Sequence, residues 1–154
     1  MPKPKPFTMM IAGKRYRMRY VHRLGKGGKG IDGDAVGPHY KGKEIRCRLG
    51  QTPQDELETW IHEVIHVSNW THNEPHVRRT ARNISNELWR IGYRKFENPK
   101  AGTRGLSQLQ AAIRDAFRDA NGTLDKDHVS QTAEDIAKVL WRVGYRKVAP
   151  EDAA

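Results

Sequence analysis

His62-Glu63-Val64-Ile65-His66 holds residue types at a spacing that could do chemistry. On a helix, positions i and i+4 lie one above the other, so both imidazoles can reach a single Zn²⁺. Glu63 falls in the same sector, within reach of a metal-activated water. A zinc site with three protein ligands keeps its fourth position for water or substrate. Glu74, eight residues after His66, is the preferred third ligand because it opens the next helix and faces the histidine pair. His72 and His76 compete with it. With the metal bound, Glu63 is the general base, and His76, Arg78 and Tyr93 are the candidates for oxyanion or substrate contacts.

The flanking sequence supplies the helices this chemistry requires. Thr52-Pro53 reads as an N-cap followed by a proline at the first helical position, with Asp55 and Glu56 suited to the positive end of the dipole. Leu57, Ile61, Val64, Ile65 and Ser68 then form one stripe. Asn73 caps a second helix whose apolar face is Val77, Ala81, Ile84, Leu88 and Ile91. The pattern predicts helices over 53–69 and 74–92, folded as an antiparallel hairpin by the turn at Ser68–His72. Upstream, Met10–Tyr20 reads as a basic strand and Glu44–Leu49 as a second strand. The latter is a candidate exposed edge where an extended peptide could pair. Ile45, Cys47 and Leu49 can at the same time alternate into the core.

Residues 7–96 resemble the small HExxH metallopeptidase-like proteins of phages and bacteria, in the broad ImmA/IrrE and SprT-like group of zincins. A basic strand, a Gly-rich loop, a second strand, His62-Glu-Val-Ile-His66, Trp70, an early acid at Glu74 and a helix closing in Leu88-Trp-Arg-Ile-Gly-Tyr93 carry the likeness. The resemblance implies one zinc per chain, held by His62, His66 and an acidic third ligand, with Glu63 as base. It also suggests a peptide or protein substrate and, for the SprT-like members, association with nucleic acid.

The chain repeats itself. A shift of 52 residues lays Val129…Leu140-Trp-Arg-Val-Gly-Tyr-Arg-Lys147 over Val77…Leu88-Trp-Arg-Ile-Gly-Tyr-Arg-Lys95, a match that shared helix propensity does not produce. His62, Glu63, His66 and Glu74 become Arg114, Asp115, Arg118 and Lys126 in the second copy. Three of those four are cations and cannot bind a metal. The second hairpin therefore keeps the packing pattern and lacks the metal site; its expected role is to pack on the first and enlarge its core, with a surface for a partner as the alternative. Gly92 and Gly144 each fit a left-handed helix C-cap.

The expected architecture is α+β. A small antiparallel sheet over 9–49 precedes the metal-carrying hairpin, together forming a zincin-like unit over 9–96. A linker over 97–104 then leads to the degenerate hairpin over 105–148. Residues 1–8 read as a disordered Pro/Lys tail with no signal-peptide character. A lone Cys47 excludes an intrachain disulfide. No stretch is apolar enough to span a bilayer, and a cytoplasmic protein is the default. The net charge of +10 suits a polyanionic partner, DNA or RNA, with Lys26, Lys29, Arg79 and Arg82 as candidate contacts. Gly25-Lys-Gly-Gly-Lys-Gly30 lacks the terminal Lys-Ser/Thr of a nucleotide-binding P-loop. The leading function is a zinc-dependent metallopeptidase; the alternatives are a non-catalytic zinc-stapled protein and a basic nucleic-acid-binding or scaffold protein of phage type.

Overall fold

The computed structural model describes residues 4–24, 32–35, 42–68, 74–100, 102–120 and 126–148. They form an α+β fold. Strands β1 (Phe7–Ile11), β2 (Lys14–Val21), β3 (Gly33–Ala35) and β4 (Glu44–Arg48) precede helices α1 (Pro53–Ser68) and α2 (Glu74–Arg90). After α2 come β5 (Tyr93–Lys95), α3 (Leu106–Ala120), α4 (Lys126–Val143) and β6 (Tyr145–Lys147).

The basic segment expected as one strand is a hairpin. Ala12 and Gly13 both take positive φ, 50° and 77°, which is the two-residue turn whose twist matches antiparallel strands. Ala-Gly is a weak signal for such a turn. Tertiary contact supports it: the Ala12 amide donates to the buried Asp135 carboxylate of α4 at 3.0 Å. Strand β1 begins at Phe7, so the last two residues of the expected tail are in the sheet. The sheet order is β1-β2-β4-β3, with β1–β2 and β3–β4 antiparallel but β2–β4 parallel. The expected antiparallel sheet is thus mixed at its centre. With β4 parallel to β2 and β3 antiparallel to β4, β3 runs opposite to both.

Alternation then assigns the two faces. Tyr16, Met18 and Tyr20 of β2 and Ile45 and Cys47 of β4 are buried against the helices, while the arginines between them point the other way. Helix α1 starts as its sequence dictates: Thr52 Oγ1 accepts from the Asp55 amide at 3.2 Å, and Pro53 is the first helical residue. Leu57, Trp60, Ile61 and Val64 are fully buried, as are Val77, Ala81, Ile84 and Leu88 of α2.

The second hairpin packs on the first, α4 against α1 and α3 against α2. Strands β5 and β6, for which the sequence carries no clear signal, pair antiparallel with Arg94 opposite Arg146. Those two residues are equivalent in the repeat, so the copies meet about a local pseudo-twofold axis. The symmetry extends to side chains. Arg94 stacks on Trp89 at 3.8 Å and Arg146 on Trp141 at 3.5 Å, each also donating to the carbonyl of its tryptophan. Gly144 is required here: its φ is +115°, and a Cβ would lie 2.5 Å from the Phe96 carbonyl oxygen.

One buried polar cluster ties these parts together. Glu56 of α1 accepts from Lys95 Nζ at 2.7 Å and lies 3.0 Å from the hydroxyl of Tyr145, which donates to the Pro53 carbonyl at 2.6 Å. Lys95 Nζ also donates to Tyr20 Oη at 3.2 Å, as does Trp60 Nε1 at 3.2 Å. Removing one charge from this cluster strands the other. Glu56→Ala is expected to cost about 2–4 kcal/mol in urea unfolding. Glu56→Leu combined with Lys95→Met should recover at least half of that loss.

Candidate metal centre

Helix α1 presents His62 and His66 on one face, and the start of α2 brings Glu74 to meet them. His62 Nε2 is 3.0 Å from Glu74 Oε1, His66 Nε2 is 2.7 Å from Glu74 Oε2, and the two Nε2 atoms are 3.0 Å apart. Ligand atoms about 2.0–2.2 Å from a tetrahedral ion sit roughly 3.4 Å apart. Three donors of the right chemistry therefore converge at nearly the separation an ion requires. Hydrogen bonding alone serves this arrangement less well, because two imidazole nitrogens that face each other can share only one proton. His62, His66 and Glu74 form the one such cluster able to hold a metal among the described residues.

The surroundings of His62 favour its neutral form. Burial is the largest effect on His62 and holds its pKa below the ordinary imidazole value, with help from His66 and Arg78 and against the pull of Glu74. A neutral ring offers the lone pair that a metal needs. The imidazoles are mostly covered, whereas the Glu74 side chain is 47% exposed, so the triad lies on the floor of an open cleft. Arg78 stands beside Glu74 at 3.6 Å.

Glu63 is buried, with 6% of its surface exposed. Burial, then the charges of Asp34 and Glu74, push its pKa up to about 8. Without a metal it therefore carries a proton through most of the neutral range.

The cleft encloses about 810 Å³ between α1, the start of α2 and strand β3. Its lining includes Asp32, Gly33, Asp34, Asp55, Glu58 and Thr59 as well as the triad, Glu63, Arg78 and Arg82. Of these, sequence reasoning missed the β3 residues and the first half of α1. Gly33 is the informative omission. A Cβ there would lie 2.6 Å from Thr59 Cγ2 and 3.1 Å from Glu63 Cγ, so its absence lets the edge strand lie directly on the metal helix. An isolated glycine among aspartates carries turn character in sequence and gives no hint of that contact.

Other expected site residues are placed differently. Tyr93 is buried on β5, paired with β6, and does not line the cleft. His76 belongs neither to the metal cluster nor to the cleft lining. Arg79 is exposed on α2 outside the cleft, while Arg82 lines it and pairs with Glu58 at 3.5 Å. Lys26, Lys29, Trp70, His72 and Asn73 lie outside the described residues. Strand β4 is interior, between β2 and β3, so the edge facing the cleft is β3. The expectation that Glu44–Leu49 is an exposed edge is corrected accordingly; Ile45 and Cys47 alternate into the core as expected.

No family model matches the chain, and neither a curated protein nor a solved structure matches it.

A buried acid whose folded pKa lies above its unfolded value stabilises below the unfolded pKa, and that contribution is lost as pH rises through the folded pKa. Metal-free Glu63→Gln should therefore match the native protein near pH 5. By pH 9 it should be more stable by about 2–4 kcal/mol, read from paired thermal melts.

Proposed function

We propose that this chain is a zinc-dependent metallopeptidase-like hydrolase of the HExxH kind, acting on peptide bonds. The observation that carries the reading is the convergence of His62, His66 and Glu74 within 4.8 Å of one another, with Glu63 on the same helix and in the same cleft. Zinc, when held by these three residues, would supply Lewis acidity to a carbonyl. Glu63 takes the proton of the attacking water and returns it to the leaving amine. Arg78, exposed on the cleft rim, is the best-placed side chain to stabilise developing negative charge.

The substrate class is argued from β3. An extended peptide adding to the outer edge of β3 would run along α1 and across the metal ligands, in the strand-addition mode. None of the described helices is long and apolar enough to cross a membrane, so nothing in them calls for a membrane-embedded substrate.

Elemental analysis of untagged protein is expected to give about one zinc per chain, lost in His62→Ala/His66→Ala. Glu63→Gln should keep the metal and the fold while turnover of an unstructured protein such as casein falls at least about 10²-fold. Equal turnover in Glu63→Gln and native protein would make the metal a structural staple. Absence of zinc after loading would remove the peptidase reading.

A further inference from the structure

The N-terminal sheet has a second face that the cleft does not use. Arg15, Arg17 and Arg19 occupy every other position of β2, and Arg46 and Arg48 do the same on β4. Their neighbours in each strand are buried against the helices, so all five guanidinium groups emerge on the opposite side. Among the described residues the helices that pack on the sheet do so from the core side. In register, Arg19 stands directly opposite Arg46, a like-charge pairing that costs stability in a sheet. Glu44 and Asp34 relieve it: Arg19 Nε donates to Glu44 at 2.7 Å, and Arg46 Nε donates to Asp34 at 2.7 Å. Arg48 pairs with Asp32 at 2.7 Å. Arg15 and Arg17 are exposed and have no carboxylate partner among the described residues.

A half-exposed sheet face needs only polar side chains to be soluble. This one carries a net excess of arginine arranged in rows, which points to a repeating anion. Side chains two apart on a strand are about 6.6 Å apart, which sets the guanidinium groups in a row that can follow a line of phosphates. The aromatic side chains Tyr16 and Tyr20 face the core, so this face offers no platform on which unpaired bases could stack. An anionic membrane is a poorer match, because among the described residues Met10 is the single large apolar side chain exposed on it. We propose that the outward face of the β1-β2-β4-β3 sheet is a docking surface for the phosphate backbone of duplex nucleic acid, bound without sequence readout. The proposal does not rest on the peptidase reading, since the face lies outside the cleft and involves none of the metal ligands.

Fluorescence anisotropy with a short labelled DNA duplex of mixed sequence, titrated from about 50 to 200 mM salt, tests it in the full chain. The native protein should bind with an affinity that falls steeply with salt, equally with zinc and with a chelator. Arg15→Gln/Arg17→Gln should weaken binding about tenfold or more and reduce the salt slope by about two. Lys100→Gln/Arg104→Gln, which removes the same charge from exposed positions between β5 and α3, should change it less than threefold. Far-ultraviolet circular dichroism confirms that both variants fold. Equal losses in the two variants would reduce the effect to net charge and overturn the proposal. No binding at the lowest salt would overturn it too, as would binding to phosphatidylserine-containing vesicles but not to duplex.

Discussion

The ion pair between Glu56 and Lys95 is the constraint on which the rest of the molecule depends. It is nearly enclosed, with the Glu56 side chain only 10% exposed, and a charge so placed is tolerable only when paired and hydrogen-bonded. The partners come from all parts of the chain: Tyr20 from the sheet, Trp60 from the metal helix, Lys95 from β5, and Tyr145 from the second copy. Tyr145 and Tyr20 complete the pair from opposite sides, one bonding Glu56 and the other Lys95. The cluster therefore fixes how the sheet, α1 and the two β ribbon strands sit relative to one another. It acts on the first turns of the same helix that carries His62 and His66 further along.

That arrangement gives the duplicated hairpin a role. The second copy carries other residues at the positions of His62, Glu63, His66 and Glu74, and its packing surface covers α1 and α2, which lets a small sheet and two helices reach a larger core. Pairing of β5 with β6 about the local dyad places Tyr145 beside Glu56, so the degenerate copy holds the start of the metal helix. The candidate metal residues and the packing that supports them are thereby divided between the two halves of one repeat.

Charge is divided as well. The chain carries 28 basic and 18 acidic residues, yet six carboxylates line the cleft: Asp32, Asp34, Asp55, Glu58, Glu63 and Glu74. Two of them are held by arginines of the outer sheet face, Asp34 by Arg46 and Asp32 by Arg48, while Glu58 is paired within the cleft by Arg82. The cleft suits a cation at its floor, and the sheet face suits an anion. The two surfaces meet along the narrow strand β3, which contributes lining to one and ion-pair partners to the other.

The sequence by itself determined the features that depend on neighbours along the chain. Periodicity and the Thr52-Pro53 start placed α1 and α2 to within two residues, because helix starts and apolar stripes are local. The His62/His66 spacing and the few residues between His66 and Glu74 were enough to bring three candidate ligand atoms together, since α2 begins soon after α1 ends. The repeat was legible for the same reason. Tertiary structure decided the rest. The turn at Ala12-Gly13 is supported by Asp135, more than a hundred residues away. The parallel β2–β4 pairing, the choice of β3 over β4 as the edge, and the burial of Tyr93 all arise from pairing between distant segments, for which no spacing rule exists. Gly33 shows the limit most clearly: its importance is a missing atom, and only the helix packed against it reveals that nothing else fits.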